Sequence, residues 1–398
     1  MKKADELQIQ IDDVYACRGL CAGCVLSAVE RKSTHPDMSE FTFARTEEAL
    51  VQYAHECKPL RRVNVTYGIA DHILMGVDYL VKIHQSGSRI VTAGNPADIE
   101  HSAVFFTTSL VGKPANVIAM LKETRARISG EVPFLPLVVL DGRLMQATKF
   151  GPMFREMVLV AKELFGKVDL ATNLSAEAVT AMSPDELIEF AEINGFDEVT
   201  VNWAPTIENS KSTLSDIPVI FDWLVRFDAL AVERPWIGTS FRPVIERTVN
   251  SVMCRSDGSP NLMTAAREIL PETVAKSIEI DHLGFVLPKL EAIGDITHAE
   301  RHGFNPLGHI NDGALSDTIR KATKGFVQSV IREHAKGACV ECDRTAICAG
   351  TGFHVATKVA RITGAGSPEE HGCPHVAKAL IDRIASRMEI EDAKRTAA

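Results

Sequence analysis

LQIQIDDVYACRGLCAGC, residues 7–24, places three cysteines spaced C-x3-C-x2-C directly after a strand-like segment. Residues 7–16 read as a strand that runs without a break into a short, glycine-containing loop carrying Cys17, Cys21 and Cys24. Thiolates bind zinc or build iron–sulfur clusters. A structural zinc site takes four ligands, and this triad has no fourth cysteine nearby. Three thiolates on a [4Fe–4S] cluster leave one iron with an open coordination position. At the end of a strand, that position is within reach of a small molecule.

Further strands are read at RRVNVTYG (61–68), SRIVTAGN (88–95), SAVFFTTSL (102–110), FLPLVVL (134–140), KVDLATNL (167–174) and DEVTVNWAP (197–205). Helices alternate with them: HILMGVDYLVKIHQSG ending at Gly87, a helix from Pro114, FREMVLVAKELFG, and SPDELIEFAEING with Ser183 as N-cap. Strands alternating with amphipathic helices give a parallel sheet with right-handed crossovers. Val, Ile and Leu on both strand faces suit a sheet buried on both sides. The expected fold class is α/β, a full or partial barrel. Its chemistry belongs at the C-terminal strand ends, where Cys17, Gly68, Asn95, Ser109 and Asn173 fall. After residue 205 the pattern turns helical, in SDIPVIFDWLVRFDALAVE, PETVAKSIEI and residues 316–337. A second cysteine group follows, Cys339-x2-Cys342-x5-Cys348, with Cys373 beyond.

Of 398 residues, 45% are apolar and 24% charged, and the net charge is -9, which argues against a general nucleic-acid or anionic-membrane binder. The first residues hold no apolar signal core, and no run reaches the ~18 apolar residues of a membrane span. A cytoplasmic location is expected. Nine cysteines there suggest metal binding or catalysis rather than disulfides. The 13 histidines offer no convincing metal site, and no phosphate-binding glycine loop opens a helix.

Strand–C-x3-C-x2-C resembles the signature of the radical SAM superfamily. The resemblance implies that Cys17, Cys21 and Cys24 hold a [4Fe–4S] cluster whose open iron chelates S-adenosylmethionine (SAM). Gly68 and Asp71, in VTYGIAD, sit where that family carries the Gly-Gly-Glu stretch that binds the methionyl amine. Ser109 lies where related enzymes have a serine ending the fourth strand, and Asn95 is similar to the Asn of the third-strand pattern. Gly23 stands where the family has an aromatic residue. Four cysteines at the C-terminal spacing can hold zinc or a cluster, with His371 or His375 as a substitute zinc ligand. The run resembles the SPASM domain, which carries auxiliary [4Fe–4S] clusters. Two ligand positions of one auxiliary cluster fall on Lys289 and Gly352, so the resemblance implies a single auxiliary cluster on Cys339, Cys342, Cys348 and Cys373. The domain division expected is 1–205 for the radical SAM barrel, 206–274 for a connecting helical segment and 275–398 for the mostly helical SPASM-like extension.

Cys57 reads as an ordinary thiol, and Cys254, beside a polar turn, as a candidate for the active site. The implied enzyme cleaves SAM reductively and abstracts a substrate hydrogen. It needs an electron donor such as flavodoxin or ferredoxin, and the auxiliary cluster transfers electrons or positions substrate. The first substrate reading is a ribosomally made peptide or protein side chain. With six residues before the first strand, a separate leader-peptide recognition protein is expected, or a substrate that binds without one. The second is a small molecule such as a tetrapyrrole. A non-catalytic iron–sulfur or zinc scaffold is the reading from another class.

Overall fold

The computed structural model describes residues 6–15, 17, 37–68, 70–146, 151–202, 216–234, 236, 246, 270–288, 305–335, 339–340, 342–351 and 378–397. Six strands lie parallel in chain order: β1 (Glu6–Ile11), β2 (Arg62–Tyr67), β3 (Ala103–Thr108), β4 (Phe134–Val139), β5 (Asp169–Asn173) and β6 (Glu198–Asn202). Between them run α1 (Glu40–Glu56), α2 (Val77–Gly94), α3 (Pro114–Arg127), α4 (Gly142–Met145), α5 (Pro152–Phe165), α6 (Ala176–Ala181) and α7 (Pro184–Asn194). Ser183 caps α7 in a full capping box with Glu186, and Pro114 opens α3, both as the sequence indicates.

Beyond β6 come α8 (Asp216–Glu233), α9 (Leu270–Lys276), β7 (Ser277–Ile280), β8 (Phe285–Pro288), β9 (Gly308–His309), α10 (Leu315–His334), α11 (Thr345–Thr351) and α12 (Lys378–Ala397). The sheet is open, in the order β6-β5-β4-β3-β2-β1-β7-β8-β9. It is therefore a partial barrel. β7 pairs parallel to β1, and β8 and β9 fold back antiparallel. The strand that leads to Cys17 is thus flanked on both sides, by β2 and β7. PETVAKSIEI divides: its first part is α9 and SIEI is β7.

The expectation of a sheet apolar on both faces is corrected at β1 and β2, which alternate. Leu7, Ile9, Ile11, Val63, Val65 and Tyr67 are buried in the core shared with the helices. Gln8, Gln10, Arg62, Asn64 and Thr66 are half-buried on the opposite face. A polar concave face is what a partial barrel needs to receive a polar ligand.

Residues 88–95 are not a strand. They continue α2, whose buried stripe includes Leu80, Ile83, Gly87, Ile90, Val91 and Gly94. Gly87 reads as a helix stop, but its role is close packing: a Cβ there would lie 2.6 Å from Val104 Cγ2 on β3. Asn95 therefore ends a helix, in the left-handed conformation at φ 45°. It lies at the N-terminal edge of the sheet, where Ala97 N donates to Leu60 O just before β2. The structure removes it from the candidate ligand-binding residues. Ser109, in turn, follows the third strand and not the fourth.

Candidate functional site

β1 leaves the sheet at Ile11 because Asp12 and Asp13 turn into polar networks, five residues earlier than the sequence reading placed the strand end. Both aspartates are fully buried. Val14 and Tyr15 then pack on Ala70 from the turn after β2, and Cys17 and Tyr79 pack against this small cluster. The Tyr15 ring meets His282, beyond β7, edge-on at 4.6 Å. Half-buried Cys17 is thus held among the C-terminal ends of β1, β2 and β7. Cys21 and Cys24 lie outside the described residues.

After β2, Gly68 N donates to Ile11 O at 2.9 Å, and a Cβ on Gly68 would sit 3.4 Å from Asp12 Oδ1. Three residues on, Asp71 is buried. Its Oδ2 accepts from Ser109 N and Ser109 Oγ, while its Oδ1 has no hydrogen-bond partner among the described residues. Asp71 and Ser109, chosen separately in the sequence, are therefore one unit. Leu110, next to Ser109, is buried at φ 51°, a strained conformation for a branched side chain.

A second network lies behind the first. His72 Nε2 meets Asp13 Oδ1 at 2.9 Å, and Tyr79 Oη donates to Asp13 Oδ2 at 2.8 Å. His72 Nδ1 faces Thr107 O at 3.3 Å and Thr107 Oγ1 at 3.2 Å. Burial alone would lower the His72 pKa, but the Asp13 carboxylate and these hydrogen bonds outweigh it and raise it above the ordinary value. On the concave face, Gln10 on β1 is in register with Glu279 on β7, and Gln10 Nε2 donates to Asp12 Oδ1. Burial and then the neighbouring Glu279 carboxyl push Asp12 well above the usual carboxylate range. Neither Asp12, Asp13, His72 nor Glu279 was singled out in the sequence. The available signal was Asp12-Asp13 itself, two consecutive carboxylates ending an apolar strand.

The C-terminal cysteines behave more locally. Cys342 N donates to Cys339 O at 3.3 Å, and Thr345 Oγ1 donates to the carbonyls of both Cys339 and Cys342. Cys348 stands one turn into α11. Cys339 and Cys342 thus bracket a turn that Thr345 ties to the start of α11, with Cys348 one turn further on. Cys373 and Gly352 lie outside the described residues, as do Lys289, His371, His375 and Cys254. Among the described residues, no three His, Cys, Asp or Glu side chains converge closely enough to hold a single metal ion. Cys57 caps α1 beside the entry to β2, at the opposite edge from Cys17, and burial pushes its thiol up. No helix among the described residues is long and apolar enough to cross a membrane.

No protein-family model and no curated protein matches the chain. Solved structures do. What the chain shares with them is the α/β fold with its helical C-terminal part. The structure of anSMEcpe with bound AdoMet and Cp18Cys peptide aligns with a TM-score of 0.55 at 11% identity, over 96% of this chain and 99% of that one. Streptococcus suis SuiB bound to its precursor peptide SuiA aligns with a TM-score of 0.50 at 14% identity, over 87% of this chain and 71% of that one. At such identities the likeness is one of fold.

Proposed function

We propose that the chain is a radical SAM enzyme that modifies a peptide or protein side chain. The observation that carries the reading is Asp71. It is a buried carboxylate with one oxygen fixed by Ser109 and the other without a hydrogen-bond partner among the described residues, and Ala70, just before it, packs in the cluster that holds half-buried Cys17. Such a group is matched to a cationic guest, here the methionyl ammonium of SAM. Gly68 supplies room at the same strand ends. The fold supports the reading, because anSMEcpe binds AdoMet and a peptide, and SuiB a precursor peptide.

Cys17, Cys21 and Cys24 would hold the [4Fe–4S] cluster. When bound and reduced by a donor such as flavodoxin or ferredoxin, it supplies cleavage of SAM to methionine and a deoxyadenosyl radical. The protein's own part is to hold SAM by Asp71, to orient Asp71 through Ser109, and to seat substrate against the concave face with water excluded. Cys339, Cys342, Cys348 and Cys373 would hold one auxiliary [4Fe–4S] cluster serving electron transfer. Residues 1–205 form the catalytic unit in this proposal, 206–274 the connector and 275–398 the auxiliary unit. A separate protein would present a leader peptide.

The test is anaerobic reconstitution. Changing Cys17, Cys21 and Cys24 together to Ala should remove about half of roughly eight irons per chain and abolish reductive SAM cleavage. Zinc in the anaerobic protein at this triad, or cleavage unchanged in the variant, overturns the proposal.

A further inference from the structure

We propose that His72 is an imidazolium at neutral pH, and that this buried cation locks the Cys17 loop to the Asp71 turn and to β3. The inference deepens the proposed function: its effect on SAM rests on that reading, but the charge and the lock do not. The argument is donor and acceptor bookkeeping. His72 and Asp13 are both fully buried, so water is not an alternative partner. Nε2 faces Asp13 Oδ1, and Tyr79 Oη donates to Oδ2, so a carboxylate here accepts on both oxygens. On the other side, Nδ1 faces the Thr107 carbonyl and hydroxyl. The Thr107 hydroxyl gives its hydrogen to Ala70 O, so toward His72 it too can only accept. A neutral imidazole has one accepting nitrogen. Either tautomer would set that nitrogen against an acceptor in a dry site, whereas the imidazolium satisfies both sides.

The position gives the charge its use. Asp13 lies four residues before Cys17, His72 directly follows Asp71, and Thr107 lies two residues before Ser109, which holds Asp71. One cation therefore ties the ends of three strands. Among the described residues, the charged and titratable groups around it are Asp13 on the β1 loop with Asp12 next to it, Asp71 in its own turn, and Tyr79 on α2, which also feels Asp37 and whose ring lies 5.4 Å below Lys82 Nζ. The raised pKa of His72 agrees with the geometry. A histidine raised in this way contributes its full stabilisation below its ordinary value, and loses it as pH rises through the folded value.

The experiment uses the cluster-loaded full chain with nitrogen-15 histidine. Nuclear magnetic resonance at pH 7 should show both His72 ring nitrogens protonated. The signal is assigned by its absence in His72→Gln or, should that variant not fold, by its displacement in Tyr79→Phe. In Tyr79→Phe, Asp13 loses a donor and becomes a stronger acceptor, so His72 should titrate at still higher pH. An unprotonated His72 nitrogen at pH 7 overturns the proposal. For the lock, amide exchange in His72→Gln should accelerate together at Val14–Tyr15 and Ser109–Val111. Acceleration confined to residues 71–75 overturns it. SAM affinity should hold constant at low pH and fall as His72 titrates, whereas His72→Gln should bind at least roughly tenfold more weakly with a flat pH profile. A wild-type profile in His72→Gln sinks the positioning role. A wild-type protein that binds no SAM sinks the proposed function instead, and leaves the resonance and exchange results to decide His72.

Discussion

In the proposed site Asp71 has one oxygen fixed by Ser109 and the other buried without a hydrogen-bond partner among the described residues, the side the proposal assigns to a cation. Replacing it tests the reading of the mouth. Asp71→Asn keeps the shape and removes the charge, so SAM binding should weaken by about 1.5–3 kcal/mol, roughly ten- to a hundredfold, with iron content unchanged. Ser109→Ala should cost less, because the Ser109 backbone still donates to Asp71. Calorimetric titration of SAM into each reconstituted variant measures both, and wild-type affinity in the two would place the methionyl group elsewhere. Asp12 makes the opposite kind of statement. Its folded pKa is raised by burial and by Glu279, so the native state holds a proton that the unfolded chain releases in the ordinary carboxylate range. Stability therefore falls as pH rises above that range toward the folded value. Asp12→Asn, neutral throughout, should melt above wild type at pH 8, by an amount on the order of 2 °C, and lose that advantage toward pH 4. Thermal scans across that range would refute the assignment if the two curves stayed parallel.

At the scale of the element, the helices and strands were largely legible, because period and capping are local. Pro114 and the Ser183–Glu186 box mark their helices without help from the fold. The failures have a common cause, which is tertiary packing overriding a local signal. Gly87 is a stop signal by composition, yet α2 runs on through it because β3 passes too close for any side chain. Miscounting that one segment as a strand displaced Asn95 to the wrong edge and gave Ser109 the wrong strand number. The packing account predicts an inversion of helix propensity. Gly87→Ala should destabilise by about 1–3 kcal/mol through overpacking against Val104, although alanine is the better helix former. Gly325 in α10 has nothing within 4 Å of its would-be Cβ, so Gly325→Ala should stabilise by up to about 1 kcal/mol. Chemical denaturation of both variants decides it, and stabilisation by Gly87→Ala would show that α2 and β3 sit further apart.

For the whole molecule, the cysteine spacings pointed to the class of fold, but what surrounds them needed three dimensions. The sequence contains nothing to say that β7 would pair with β1 and bring Glu279 beside Asp12 and His282 against Tyr15, since those contacts join residues more than 260 positions apart. The same placement separates two kinds of cysteine. Cys17 belongs to the strand ends, packed with Val14, Tyr15 and Ala70. Cys339, Cys342 and Cys348 belong to a turn and to α11, which packs on α10, and α10 in turn packs on α1, outside the sheet. Damage to the second set should therefore leave the first standing. In Cys348→Ala and Cys373→Ala, reductive SAM cleavage should persist, uncoupled from substrate, because Cys17, Asp71 and Ser109 lie at the strand ends while Cys348 lies on α11, which packs on α10. Product formation should fall, since an electron leaving the substrate would have lost its acceptor. Counting methionine and deoxyadenosine against modified peptide, in each variant and in wild type, gives the ratio that matters. Two clusters should be resolved spectroscopically in wild type and one in the variants. Loss of SAM cleavage in step with product would mean that the C-terminal cysteines support the mouth itself, and would undo the division of labour inferred from where the two sets lie.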